Sequence, residues 1–187
     1  MITQKRQIKF LEKKEVEKLI AKIKQKGARN LRDRALLTVL FSTGLRISEA
    51  LALEWTAFEE QGRATMELPI IGKGGWQRVI FFSPEALKSI REYLKTRDDL
   101  LDEQRLFPIT SRAAQIMIKR RAGRAGMGDK HITPHTLRHS LATDLLRRGV
   151  DVRVVQEFLG HRSIASTQIY THVTNTQLKN IHTKLYK

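Results

Sequence analysis

The sequence predicts a mainly α-helical fold interrupted by one small antiparallel β-hairpin. Three observations point there: apolar residues recur at spacings of three and four along most of the chain, the period drops to two only between Ala64 and Phe82, and helix starts and stops are densely marked. Lys14 to about Lys24 carries Val16, Leu19, Ile20 and Ile23 on one helical face, and Leu31 to Thr43 carries Ala35, Leu36, Val39 and Leu40 likewise. Gly44 breaks that run. Ile47 to Leu53 resumes helical character, which places Arg46 at a helix–helix junction, where a guanidinium can reach across a groove. Met66, Leu68 and Ile70 then alternate, Gly72 to Gly75 supplies a turn, and Val79 to Phe82 is β-branched and aromatic, giving a hairpin with Lys73 at its tip. Ser83-Pro84 starts a helix reaching roughly Lys95. Ser111 caps another running to Ala122, with Lys119, Arg120, Arg121 and Arg124 clustered at its end, and Gly123 to His131 reads as a loop.

The last quarter of the chain carries the densest punctuation. Thr133 followed by Pro134 is a helix start: a hydroxyl caps the first free N–H groups, and the proline has none to satisfy. Leu137, Leu141, Leu145 and Leu146 form one apolar face, and Gly149 after Arg147 and Arg148 is the stop. His135 and Arg138 therefore sit in the first turns, three residues apart on one side, and can share one anion. Asp151 caps a second short helix with Val152, Val155, Phe158 and Leu159, and Gly160 closes it where a left-handed residue is required. His161 follows directly. Ser163 can cap a third segment, Ile164 to about Tyr170. Taken singly, each of these residues reads as a helix cap, a surface group or a half-buried aromatic. As a set they form an anion site with a nucleophile beside it.

Composition narrows the partner. The 187 residues hold 35 Lys plus Arg against 19 Asp plus Glu, for a formal net charge of +16 and a pI of about 10.5. A polyanion, most simply nucleic acid, fits that balance. A membrane surface is the competing explanation, but no apolar run approaches the ~20 residues needed to span a bilayer, and the N-terminus lacks the apolar core of a signal peptide. The expected location is the cytoplasm, in association with that polyanion. With no cysteine the fold rests on its core, which one domain of 41% hydrophobic content can supply. A metal site is the other candidate, since His131, His135 and His139 fall at intervals of four. Pro134 argues against it by starting the helix after His131.

The stretch HTLRHSLATDLLRRGVDVRVVQEFLGHRSIASTQIYTHV resembles the C-terminal signature of the tyrosine recombinases, also called the phage integrase family. Upstream, Ser42-Thr43-Gly44-Leu45-Arg46-Ile47-Ser48-Glu49-Ala50-Leu51 resembles the segment with that family's first catalytic arginine. Ile71-Gly72-Lys73-Gly74-Gly75-Trp76-Gln77-Arg78 resembles the hairpin turn with its catalytic lysine. The resemblance runs from about Phe10 to the C-terminus and implies the tyrosine recombinase catalytic-domain fold. It further implies site-specific cleavage and rejoining of double-stranded DNA through a covalent 3′-phosphotyrosine, without ATP, metal or other cofactor. Tyr170 would be the nucleophile, His135 the acid–base partner, Arg46 and Arg138 the phosphoryl clamps, His161 a further donor and Lys73 the acid that protonates the departing 5′ oxygen. Glu49, one turn from Arg46, either orients that guanidinium or makes an exposed salt bridge. Lys119, Arg120, Arg121 and Arg124 would track phosphates.

The family's N-terminal helical domain, which clamps the other face of DNA, has no room in this chain, so a single catalytic domain spanning residues 1–187 is expected. Ala57, in Trp55-Thr56-Ala57-Phe58, stands where the family commonly has an acidic residue. The tail from Thr174 to Lys187, with Leu178, Ile181 and Leu185 at helical spacing, either docks on a neighbouring subunit of a tetrameric synapse or folds back on its own domain. Two other functions stay open: a type IB topoisomerase, and a non-catalytic DNA-binding module in which the helices flanking Gly149 form a helix-turn-helix.

Overall fold

The computed structural model describes residues 10–58, 66–72, 75, 77–100, 103–160, 179–180 and 182–183. Its elements follow in chain order: α1 (Lys13–Ala21), α2 (Ala28–Thr43), α3 (Ile47–Leu51), a 3₁₀ turn at Trp55–Phe58, β1 (Met66–Ile71), β2 (Gln77–Phe82), α4 (Pro84–Leu94), α5 (Ser111–Arg124), a 3₁₀ turn at Gly128–Lys130, α6 (Pro134–Arg147) and α7 (Val152–Leu159). The chain is thus mainly α-helical with one antiparallel hairpin, as the periodicities predict.

The centre is α2. Leu36, Leu37, Val39 and Leu40 occupy consecutive directions around it and all are buried, which requires neighbours on every side. α4 and α6 pack along it, α1, α3 and β2 complete its surroundings, and the apolar side chains merge into one core. α1 is fastened at its entrance by the Leu11 N–H, which donates to Ser140 Oγ on α6 at 2.8 Å. The hairpin pairs Met66 with Phe82 through to Ile71 with Gln77. Leu68 and Ile70 of β1 lean inward, while Glu67, Pro69 and Ile71 face out, and the edge position of β1 tolerates a proline that has no N–H to donate. β2 becomes buried on both faces towards its end: Phe82 meets Phe58 edge-on at 5.1 Å and Phe81 stacks on Phe158 of α7 at 6.4 Å.

Some expectations change. The cap of α5 is Thr110, whose Oγ1 accepts the Ala113 N–H at 3.1 Å, and the helix continues past Ala122 to Arg124. Leu146 is 45% exposed: Leu137, Leu141 and Leu145 hold the buried stripe, and the next residue is turned some 100° away from it. Val152 is likewise exposed, while Val155, Phe158 and Leu159 face the core. His131 lies outside α6, closing the 3₁₀ turn with φ 48°, so the three imidazoles do not stack on one helix.

Arg121 is the main correction to the basic run. It is buried, and its Nε and Nη2 donate to Asp33 Oδ2 at 2.9 and 2.6 Å, with Asn30 Oδ1 accepting a further bond at 2.7 Å. Arg32 holds the other carboxylate oxygen at 2.7 Å. This network clamps α5 to α2, so Arg121 cannot track phosphates, whereas Lys119, Arg120 and Arg124 remain on the exposed face.

Of the tail, residues 179–180 and 182–183 are described and helical. His182 is buried between the rings of Phe81 and Phe158, at 5.8 and 6.4 Å, and burial drives its imidazole down to about 4, so it is neutral at pH 7. Lys179 pairs with Glu67 of β1 at 2.5 Å. Leu178, Ile181 and Leu185 lie outside the described residues.

The Asp33 network yields a stability prediction. Asp33→Asn removes the carboxylate that, among the described residues, compensates the buried Arg121 guanidinium, and the expected loss is ~3–5 kcal/mol of unfolding free energy, read as a lower urea midpoint with unchanged slope. A loss below about 1 kcal/mol would mean that the pair adds little to the α2–α5 contact.

Candidate active site

Three chain segments converge beside the C-terminal end of α7. Gly44 ends α2 in the left-handed region with φ 64°, and a Cβ there would stand 2.4 Å from Leu159 Cδ2 and 3.0 Å from Leu141 Cδ2. Only glycine permits so close an approach between the α2–α3 junction and α6 and α7. The result is a narrow space in which backbone carbonyls and arginine side chains meet.

Arg138 forms its floor. Pro134 and Thr133 fix the start of α6, the Thr133 hydroxyl accepting the Thr136 N–H at 3.2 Å, and Arg138 lies in the following turn pointing inward. It is 6% exposed, and its two Nη groups donate to the carbonyls of Gly44 and Leu159. Burial lowers its pKa from 12.5 to about 10, helped by the neighbouring charges of Arg46 and Arg78, so it stays protonated at neutral pH.

Arg46 forms the rim. It precedes α3, its side chain is 31% exposed, and its Nη2 donates to the carbonyl of Gly160 at 3.1 Å. Its Nη1 donates to Glu49 Oε1 at 3.0 Å, while its backbone N–H donates to Glu49 Oε2 at 2.8 Å. Glu49 is therefore a buried partner of Arg46 and not an exposed salt bridge: its side chain is 8% exposed.

Arg78 was not among the residues expected from sequence. Its Nη1 and Nη2 donate to Glu49 Oε1 and Oε2 at 3.1 and 2.8 Å, a bidentate pair. Glu49 thus accepts four hydrogen bonds, filling its four lone-pair positions. Burial alone would raise its pKa, but the Arg78 fork and the Arg46 N–H outweigh that and hold it at about 2. Arg78 also lies across Gly160, where a Cβ would come within 3.0 Å of its Nη1. A signal for it existed in the strand pattern, because position 78 shares a face of β2 with the buried Ile80 and Phe82, and an inward arginine needs a carboxylate.

The structure therefore brings together Arg46, Glu49 and Arg138, and adds Arg78. His135 is exposed on the first turn of α6, one turn before Arg138. Lys119, Arg120 and Arg124 stand on the outer face of α5, which packs against α3. Lys73, His161 and Tyr170 lie outside the described residues, although the elements leading to them, β1 and α7, end beside this pocket.

Comparison with known proteins gives the family. The profile of the Phage integrase family matches residues 9–177. The chain is 45% identical over 161 residues to the tyrosine recombinase XerD of Corynebacterium glutamicum, covering 81% of this chain and 52% of that protein. Among solved structures it is similar to XerA recombinase, with a TM-score of 0.66 and 30% identity over 95% of this chain and 65% of that one. It is also similar to the XerH site-specific recombinase bound to palindromic difH substrate in a post-cleavage complex, with a TM-score of 0.73 and 26% identity over 100% of this chain and 53% of that one. The chain thus spans about half to under two thirds of the length of these relatives.

The depressed pKa of Glu49 sets a pH dependence. A carboxylate whose folded pKa lies below its unfolded value of 4.5 contributes stability above pH 4.5 and loses it as pH falls towards about 2. The contribution is on the order of 3 kcal/mol. The difference in unfolding free energy between wild type and Glu49→Gln, measured in urea, should be full at pH 6 and shrink steadily between pH 4.5 and pH 2.5. A difference independent of pH would contradict the charged, doubly paired state.

Proposed function

The chain belongs to the phage integrase family, and we propose that it cleaves and rejoins double-stranded DNA at specific sites through a covalent 3′-phosphotyrosine intermediate. The observation that carries this reading is the pocket charge: the guanidiniums of Arg46, Arg78 and Arg138 surround a single carboxylate, leaving a net charge of +2. A phosphodiester carries one negative charge and gains a second in the pentacoordinate transition state, so the pocket matches the reacting group where charge builds up. The XerH site-specific recombinase, to which the chain is similar, is solved bound to palindromic difH substrate in a post-cleavage complex, which supports the reading.

In the mechanism, the Tyr170 oxygen attacks the phosphorus, the bond to the 5′ oxygen breaks, and the protein is left joined to the 3′ phosphate. The tyrosine proton goes to His135, which is exposed on the first turn of α6, and Lys73 supplies a proton to the departing 5′ oxygen. Attack by a 5′ hydroxyl from another strand reverses the sequence and conserves the bond, so no ATP is consumed. Arg46 and Arg138 each use two N–H groups in the contacts described, and a guanidinium has five, so each keeps donors for the phosphoryl oxygens. His161, first after the Gly160 stop, adds another. Lys119, Arg120 and Arg124 contact flanking phosphates, which makes binding fall steeply with salt.

Recombination in this family needs more than one subunit, and we propose assembly on DNA into a tetrameric synapse. The contact of His182 with Phe81 and Phe158 supports a tail that folds back on its own domain in the absence of DNA. Exchange of the tail between subunits would then require that contact to open.

The test is trapping on a pool of nicked suicide duplexes with a randomised centre. Wild type should yield a denaturation-resistant adduct whose mass maps to Tyr170, Tyr170→Phe should yield none, and Arg138→Gln should slow adduct formation by roughly a hundred- to a thousandfold. DNA binding without any adduct across the pool would favour a non-catalytic binding module.

A further inference from the structure

Beyond its share of the pocket charge, Arg78 has no role in the chemistry assigned so far, yet it touches three of the structures that build the pocket. Its fork is bidentate on Glu49. Its Cδ, Cζ and Nη1 pack against Gly160, whose carbonyl accepts from Arg46. It is also the second residue of β2, across from Ile70, at the end of the hairpin nearest the turn that carries Lys73. The neighbouring hairpin side chains make no buried contact: Ile71 is 68% exposed, and Gln77 is exposed as well. Arg78 is therefore the anchor of that end of the hairpin among the described residues.

The hydrogen-bond count shows what the anchor does to Arg46. Two of Glu49's four accepted bonds come from Arg78, and the Arg46 backbone and one Arg46 Nη supply the other two. With Arg78 in place, Arg46 gives Glu49 only one side-chain N–H and the Gly160 carbonyl a second, and its other donors are left free of Glu49. With Arg78 removed, two lone pairs of a buried carboxylate fall vacant, and the Arg46 guanidinium is the adjacent donor able to close on them as a fork. That closure would turn towards Glu49 the N–H groups that a phosphate needs.

We propose that Arg78 is a positioning residue for strand cleavage, saturating Glu49 so that the Arg46 guanidinium stays aimed at the phosphate and tying the hairpin turn to the arginine pair. The proposal rests on the cleavage reading above. Its Nε is buried without an acceptor among the described residues, which fits a side chain fixed by its fork and by packing on Gly160.

The experiment measures single-turnover adduct formation by the full chain on duplexes recovered from the suicide pool, across DNA concentrations, for wild type, Arg78→Gln, Arg78→Lys, Glu49→Gln and the Arg78→Gln/Glu49→Gln double variant. A positioning role predicts that Arg78→Gln lowers the rate at saturating DNA by roughly ten- to a hundredfold while the half-saturating concentration moves by less than about threefold. Arg78→Lys, which keeps the charge but loses the fork, should recover only part of the rate. The double variant should be no slower than Glu49→Gln, since a neutral residue 49 has no charge with which to capture Arg46. If Arg78→Gln does not fold by circular dichroism, Arg78→Lys decides the matter: an unchanged rate at saturation overturns the proposal. Equal rates for Arg78→Gln and wild type, a loss seen wholly as weaker DNA binding, or additive losses in the double variant would each overturn it too. A wild-type chain that forms no adduct overturns the cleavage reading instead, and this proposal with it.

Discussion

Three guanidinium groups share one small space in this protein, and their mutual repulsion is the constraint around which the rest is arranged. Two kinds of acceptor make the arrangement stable. Glu49 serves Arg46 and Arg78 together, and the carbonyls of Gly44, Leu159 and Gly160 serve Arg138 and Arg46. Two of those carbonyls lie at the C-terminal end of α7, where the helix dipole adds partial negative charge. Each fold element near the site can be traced to this need. Gly44 brings the α2–α3 junction against α7, Pro134 sets the register that points Arg138 inward, and Gly160 turns the chain while leaving room for Arg78.

A second buried carboxylate shows what separates a site from a structural anchor. Asp33 is also surrounded by arginines, with Arg121 and Arg32 both bonded to it and the exposed Arg120 at 3.6 Å, and it is fully buried between α2 and α5. There Arg121 is itself enclosed and further tied to Asn30, so its charge is spent inside the fold. At Glu49, in contrast, Arg46 stays nearly a third exposed and keeps donors to spare. The two clusters look alike in sequence, as basic residues near an acid, and differ in the hydrogen-bonded guanidinium itself: Arg121 is enclosed, whereas Arg120 reaches Asp33 only as a longer ion pair and Arg46 is both bonded and open to the outside.

That difference marks how far the sequence could be read. The helices, the hairpin and the stops at Gly44 and Gly160 follow from local signals such as the Thr133-Pro134 cap and the alternation of Leu68 and Ile70, because caps and periods act over a few residues. Arg46 and Arg138 were legible through their motifs. The inward turn of Arg121 was not, because a cluster of four basic residues carries no mark of which one is buried against Asp33 from a helix 88 positions away. Leu146 and Val152 misled for a related reason: apolar type says that a residue can be buried, but the rotation of the helix against its neighbours decides which ones are. Arg78 was half visible, quoted within the hairpin motif but without the partner that gives it a purpose.

The choice of acceptors also explains the chemistry of the floor. A carboxylate facing Arg138 would have fixed it firmly but cancelled its charge, whereas neutral carbonyls fix it and leave that charge whole for an incoming anion. The cost appears in its acidity, since burial beside two other cations lowers the group to about 10. Arginine tolerates this because it starts from 12.5 and remains protonated. A lysine starts near 10.4, so a comparable environment would bring it to roughly 8, close to losing its proton at the pH where the site must work. The uncompensated floor and the need for arginine there are thus one requirement, and the single carboxylate is reserved for the rim, where two guanidiniums must be kept apart and aimed.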